Sequence, residues 1–432
     1  MILFVSDVPA SAAARVIVLA AALACGACAT TQVEVKYPAM ATVANPRVLG
    51  EFNGVAVYGG GFGSALAVDP RAPGYFYMLT DRGPNADGTG PEKKVFPVPG
   101  FTPQIGRFRL DGDQLTLVKV IEIKNAQGRK ITGLPNPREG NTGEVAVDLQ
   151  GRELGTDPDG LDSEGLVALA DGTFWISDEY GPWLVHVDAD GRTLERVGPF
   201  PGAKSLPKVL ALRRPNRGME SLTITPDGRT LVGLMQNPLD NPTSAVRKTS
   251  RWNRLLAYDP RTGASRQYVY RLDATSAVVS EIAAVTATTF IVSERDQLFA
   301  GDPKSPAKLK RIYKIDLARA SDVSDPADGR NGRMVNGKTL EQLSEAELAA
   351  AGIVPVTKEL VVDLLALPGG YPHDKSEGLA VINDTLIAVS NDDDFGIVPD
   401  GKGGIAPKRL PGAGNMIDVN RVYFIRLDKP LK

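Results

Sequence analysis

Cysteine is nearly absent from this chain: Cys25 and Cys28 are its two copies, and from residue 29 onward there is none. That span therefore holds no intramolecular disulfide, no thiol nucleophile and no thiolate zinc site. Histidine is as scarce, with only His186 and His373, so a multi-histidine metal centre has too few ligands. The Gly-x-Ser-x-Gly elbow of serine hydrolases is missing as well, which leaves a Ser-His-Asp mechanism without sequence support. Positive charge is not in excess. Lys and Arg number 49 against 51 Asp and Glu, for a net charge of -2, and a nucleic-acid-binding footprint is excluded on that ground. After the N-terminal region, no apolar run is long enough to span a bilayer.

What the chain has is turn-forming residues and oxygen ligands. Gly 45 and Pro 32 in 432 residues fit a fold of many short strands. Near the N-terminus, residues 16–28 read VIVLAAALACGAC after Arg15. This run is too short to span a membrane and reads as an export signal over residues 1–28. A cysteine at its end is the setting for lipidation after cleavage. Cys28 is the assigned site and Cys25 the alternative, although neither has Leu three residues before it. The expected location is the periplasm, or the outer membrane as a lipoprotein, of a bacterium. Residues 29–44 read as a linker and 45–432 as one domain.

Within that domain a unit recurs. Its clearest copy runs from Asp162-Ser163-Glu164-Gly165-Leu166 through an Asp171-Gly172 turn to Ser177-Asp178-Glu179. An Asp-Gly pair between two β-rich runs is a strong hairpin signal, and two further short strands follow. Further copies start at Glu220, Glu281 and Glu377, and a weaker one at Ser64-Ala65-Leu66 lacks the acid but ends on Asp81. Four short strands per copy describe a propeller blade. The expected fold is all-β, a single β-propeller of five recognisable blades, with a sixth allowed for in residues 126–160. The strand around residues 47–57 is expected to close the ring beside RVYFIRLD near the C-terminus. Residues 297–356 read as an insertion with a short helix, where Ser344 and Glu347 form a capping box. Residues 236–252 read as a long polar loop.

Residues placed symmetrically about a hairpin turn face each other across the strands. Glu164 then opposes Asp178, Glu377 opposes Asn391, and Glu281 opposes Ser293. The position opposite Glu220 is Leu234, so that copy fits less well. First strands lie next to a propeller's axis, so these acids would converge on one mouth of the channel. Converging carboxylates repel, and a divalent cation removes the cost. Oxygen ligands without His or Cys point to Ca²⁺, with Mg²⁺ or Mn²⁺ as the alternatives. The candidate ligands are Asp81, Glu164, Asp178, Glu220, Glu281, Glu377 and Asn391. The competing reading is that the same acids pair with nearby bases or backbone N–H groups. Candidate catalytic groups are Glu164, Glu377 and His373.

As an ordered set, TDRGPN from Thr80, LDSEGL from Leu161, WISDEYGP from Trp175, NRGMESLTITPDG from Asn216, SEGLAVI from Ser376 and NDDDFG from Asn391 resemble the phytase-like propeller family, described as "esterase-like activity of phytase". The resemblance runs over about residues 45–430. It implies hydrolysis of phosphate or other esters, calcium in an acidic cleft, and a small phosphate- or ester-bearing substrate held by basic residues. In this chain Arg82, Arg217, Arg295 and Lys375 stand in the motifs, with Arg213 and Arg214 nearby, and Arg suits phosphate geometry. Two functions stay open on the sequence: a Ca²⁺-dependent hydrolase, or a non-catalytic cell-envelope binding propeller whose cation is structural.

Overall fold

Asp171 and Gly172 close the hairpin as their chemistry demands. Gly172 takes a φ of 92°, and the Asp171 carboxylate accepts the Thr173 N–H at 2.9 Å. The computed structural model describes residues 35–90, 92–137, 143–214 and 216–432. The export signal, both cysteines and residues 29–34 of the assigned linker lie outside them. Residues 36–432 form one unit.

Five four-stranded antiparallel meanders follow in chain order. The first is Ala65–Val68, Tyr75–Leu79, Gln104–Asp111 and Gln114–Glu122. The second is Ser163–Ala168, Phe174–Asp178, Leu184–Val187 and Thr193–Val197. The third is Met219–Ile224, Leu231–Met235, Trp252–Tyr258 and Ser265–Arg271. The fourth is Val278–Ala284, Thr289–Arg295, Lys310–Asp316 and Thr357–Asp363. The fifth takes Leu379–Asn383, Leu386–Ser390 and Arg421–Arg426 from the C-terminal region, and Met40–Val43 from the N-terminal region. Met40–Val43 also pairs in parallel with Gln114–Glu122, which joins the fifth and first meanders into one eight-stranded sheet.

The closing strand is thus not the one expected. Residues 47–57 form their own hairpin, Val48–Phe52 against Val55–Tyr58. Asn53 and Gly54 both take positive φ, 52° and 78°. An Asn-Gly pair in that conformation turns a chain back on itself, so the segment cannot also extend along Arg421–Arg426. The strand that does so lies in residues assigned to the linker. Nor do residues 126–160 build a sixth meander among the described residues. They contribute Val145–Val147 to a three-stranded sheet with Lys93–Val95 and Ala86–Asp87.

Apolar side chains fill the space between each meander and the next. Leu79 and Ile105 of the first meet Leu166 and Ile176 of the second, and Trp175 of the second meets Leu222 of the third. Leu234 of the third meets Phe290 of the fourth, and Ile291 of the fourth meets Ile387 of the fifth. Ala388 and Phe424 of the fifth return to Leu66 and Phe76 of the first. The packing is cyclic. The five first strands surround a channel of about 240 Å³ lined by Leu66, Leu166, Leu222, Ile282 and Leu379. A small residue after the acid permits this approach. A Cβ on Gly165 would stand 2.4 Å from the Leu222 nitrogen, and one on Gly378 would stand 2.7 Å from the Leu66 Cβ.

The insertion carries the expected helix, Glu345–Ala350, and Ser344 and Glu347 cap it reciprocally. The insertion is fastened by a buried pair, Arg254 Nε to Glu341 at 2.7 Å, and by Trp252 Nε1 donating to the Leu343 carbonyl at 2.6 Å.

A candidate acidic metal and substrate cavity

The first two strands slip by one residue at the same place in three meanders: between Ser163 and Leu166, Met219 and Ser221, and Val279 and Glu281. A bulge sets two residues against one and re-aims a side chain. Asp178 therefore pairs with Ser163 rather than Glu164, and Leu234 pairs with Ser221 rather than Glu220, while Glu281 faces Ser293 as expected.

The consequence for the second strands is that the residue opposite the acid turns inward to the backbone. Asp178 accepts the N–H of Asp162 at 2.7 Å and of Gly181 at 2.9 Å, and burial raises it to about 6. Asn391 accepts the Arg421 N–H at 2.8 Å and donates to Asp418 at 3.2 Å. The next residue, on the other face of the strand, is the one that reaches the mouth: Asp81, Glu179, Gln236 and Arg295 line one cavity of about 280 Å³. Glu164, Glu220 and Glu377 of the first strands line it too, as do Arg82, Asp162, Arg217, Asp374, Lys375 and Asp394.

One half of this cavity concentrates negative charge. Asp162, Glu164 and Glu179 are buried and each offers a carboxylate oxygen within 4.8 Å of the others. Glu220 and Glu179 are hydrogen-bonded side chain to side chain. Burial, and next the charge of Glu220, push both Glu164 and Glu179 well above the carboxylate range. Burial raises Glu220 to about 7, and burial followed by Asp162 raises Asp81 to about 8. Among the described residues, Glu179 Oε1 and Glu220 Oε2 are buried without a hydrogen-bond partner. An oxygen in that state is costly unless something positive meets it. A hard divalent cation fits this donor set, with Asp162, Glu164 and Glu179 as ligands.

The other half is neutralised from within. Arg295 Nη2 meets Glu377 at 2.5 Å and its Nε donates to Ser280 at 2.7 Å. Lys375 Nζ lies 2.6 Å from both Asp392 and Asp394. Although burial would lower it, those two acids hold Lys375 well above its ordinary value. Arg82 joins the halves, with Nη1 on Glu144 at 2.7 Å and Nε 3.5 Å from Asp162. Arg217 differs from these bases. Its guanidinium donates to the amides of Gln236 and Gln297, and among the described residues it forms no ion pair.

Four candidates stand elsewhere. Glu281 accepts the N–H of Leu222 at 3.1 Å and of Ile282 at 2.9 Å and faces the channel instead. His373 is fully buried outside the cavity, its Nδ1 on Asp418 at 2.7 Å and Nε2 on the Tyr423 hydroxyl at 2.9 Å. Both ring nitrogens are thus occupied. Arg213 holds the Tyr180 carbonyl, and Arg214 is exposed. Sequence reasoning passed over Asp162 and Glu179 as ligands. The signal was present, since Asp162 precedes Glu164 by two residues and Glu179 follows Asp178, but only the bulge shows which of each pair turns inward.

The fold and site together define an all-β, propeller-like protein with an acid-rich cavity at one end of its axis. The chain belongs to the Phytase-like family, "Esterase-like activity of phytase", which matches residues 58–395. An uncharacterized secreted protein of Arthroderma benhamiae is 28% identical over 261 residues, covering 48% of this chain and 51% of the relative. The match thus spans about half the length of that relative. Among solved structures, a PQQ-bound aldose sugar dehydrogenase from Streptomyces coelicolor is 12% identical, with 87% of this chain and 85% of that one covered at a TM-score of 0.32. A putative 6-phosphogluconolactonase from Bacteroides uniformis is 11% identical, with 88% of each chain covered at a TM-score of 0.30.

Proposed function

We propose that the five meanders are the blades of a five-bladed propeller and that its acidic cavity is the active site of a Ca²⁺-dependent hydrolase of phosphate or other esters. The observation that carries this reading is the buried trio Asp162, Glu164 and Glu179, with an unpartnered oxygen on Glu179 and another on the adjoining Glu220. Bound there, the cation supplies polarisation of a substrate oxygen and a more acidic water. Arg217, held by amides rather than carboxylates, is the base best placed to give its charge to an incoming phosphate. Arg295 orients Glu377 through their ion pair, and Glu377 is the acceptor for a proton on the cation-rich side. Glu164 belongs to the cation's ligand set, and His373 has no part in the chemistry.

A second reading has its own support. Arg82, Arg295 and Lys375 are already matched to carboxylates, as they would be in a binding propeller whose cation only stiffens the mouth. One experiment separates the two. Purified protein is assayed on p-nitrophenyl phosphate, phytate and short acyl esters, with Ca²⁺ and with chelator. The hydrolase reading expects turnover that chelator abolishes and Glu164→Gln removes. Tight Ca²⁺ binding without turnover on the whole panel would sink it and leave the binding propeller.

We further infer export. The fungal relative is described as secreted, and the apolar run ending at Cys28 is of export type. Mass spectrometry of the mature N-terminus tests this, and a lipid-modified Cys28 would fix the anchored form.

A further inference from the structure

A second cavity lies between the outer strands of the fifth meander and the connection that leads into it from the fourth. Its volume is about 680 Å³, within the range of small-molecule sites. Tyr37, Leu367, Pro368, Phe424 and Ile425 make its wall mostly apolar, and no acidic residue lines it. Its charged lining residues are Arg421 and Arg426. Among the described residues Arg421 forms no ion pair. Its Nε is buried without a hydrogen-bond partner, its Nη2 reaches only the Met416 sulfur at 3.8 Å, and it hydrogen-bonds the Tyr423 hydroxyl. Two fully buried arginines behave otherwise, since Arg254 and Arg295 each meet a carboxylate below 3 Å. A partly desolvated guanidinium beside an apolar chamber lacks a countercharge, and an amphiphilic anion supplies both parts.

We propose that this cavity binds a single-chain apolar carboxylate, such as a free medium-chain fatty acid, with the carboxylate on Arg421 and the chain along Leu367, Phe424 and Ile425. The site shares no lining residue with the acidic cavity and stands whether or not that cavity is catalytic.

The test is calorimetric titration of the full-length protein with dodecanoate below its micellar concentration, beside dodecanol and dodecyltrimethylammonium. Dodecanoate is expected to bind at least about tenfold more tightly than dodecyltrimethylammonium. Arg421→Gln should weaken dodecanoate by about tenfold while leaving dodecanol within about twofold, and Arg421→Lys should restore most of the loss. Ile425→Trp, which fills the chamber, should block both ligands. Leu367→Trp on the connection serves the same purpose if the strand variant does not fold, with circular dichroism as the check. Equal binding of the two head groups, or an Arg421→Gln variant with unchanged dodecanoate affinity, overturns the proposal. So does binding to phosphatidylglycerol vesicles without binding of monomeric dodecanoate, which would make the patch a membrane contact.

Discussion

The two halves of the acidic cavity hold similar carboxylates in opposite electrostatic states. On the side of the fourth and fifth meanders each acid has a cation at hydrogen-bond distance: Glu377 has Arg295, and Asp392 and Asp394 have Lys375. On the side of the second and third, Glu164, Glu179 and Glu220 crowd one another, and burial pushes all three upward. The difference begins at one strand position. The residue after the bulge-shifted partner is Arg295 in the fourth meander and Glu179 in the second. One half carries its own countercharges, and in the other acid faces acid, which is what the proposed cation would relieve.

The sharpest way to break this contrast is to remove one member from each half. Arg295 and Glu377 are almost fully buried, with side-chain exposures of 2% and 5%. Arg295→Met leaves a buried acid without its partner and should cost about 3–5 kcal/mol in urea unfolding. Glu179→Gln removes a repelling acid instead, and the chelated protein should be unchanged or up to about 1 kcal/mol more stable. Equal losses in the two variants would erase the distinction.

Next in size is the cation itself. Ca²⁺ at a hundredfold excess over Kd should stabilise the protein by about 2.7 kcal/mol, read from the urea midpoint with and without chelator. Glu164→Gln should lose that increment, and Arg295→Met should keep it on its lower baseline.

How much of this was legible before the structure follows from the same residues. The Asp171-Gly172 turn and the repeated Glu-(Gly/Ser)-Leu run mark the hairpins because both are local rules of backbone conformation and close approach. Glu164, Glu220 and Glu377 were legible as cavity acids because first strands face the axis, and Asp81 because it ends its hairpin at the same mouth. Glu281 kept its expected partner but turns to backbone N–H groups, and Asn391 likewise bonds backbone and Asp418. Asp178 was misplaced because symmetry about a turn assumes an unbroken ladder, and a bulge leaves no fixed signature in sequence. Asp162 and Glu179 were hidden by that same slip. Asn53-Gly54 carried a turn signal that the repeat pattern overshadowed, and the closing strand was assigned to the wrong segment.

The pH dependence of the metal-free protein should be moderate. Glu220 rises from its ordinary 4.5 to about 7 and Asp81 from 3.8 to about 8. A carboxyl raised in the native state binds its proton there and not in the unfolded chain, so its contribution is full at low pH and is lost as pH climbs through the native value. His373, lowered by burial from 6.5, acts in the opposite sense but only below its ordinary value. From about pH 4.5 up to about 8 chelated protein should therefore lose stability, at up to about 1.4 kcal/mol per pH unit for each of these carboxyls, and the decline should fade above that range. Asp393, raised by burial to about 7, adds to that slope from outside the acid cluster. Saturating Ca²⁺ should flatten most of the decline, since the ligands bind deprotonated. A slope that is the same with and without Ca²⁺ would place the titrating acids away from the cation.

The smallest effect is expected at Glu281, and it tests whether position in the repeat or local contact decides an acid's role. By sequence repeat Glu281 is the equal of Glu164, although the strand register gives that place to Ser280. By contact it is not, because its Oε1 accepts two backbone N–H groups, from Leu222 and Ile282. An amide oxygen can accept the same two bonds. Glu281→Gln should therefore shift the urea midpoint by less than about 1 kcal/mol and leave Ca²⁺ affinity unchanged, whereas Glu164→Gln abolishes the calcium increment at similar folding cost. If Glu281→Gln weakened Ca²⁺ as strongly as Glu164→Gln, the acids would act as one symmetric ring about the axis, and the division of the mouth into a cation-seeking half and a self-neutralised half would have to be abandoned.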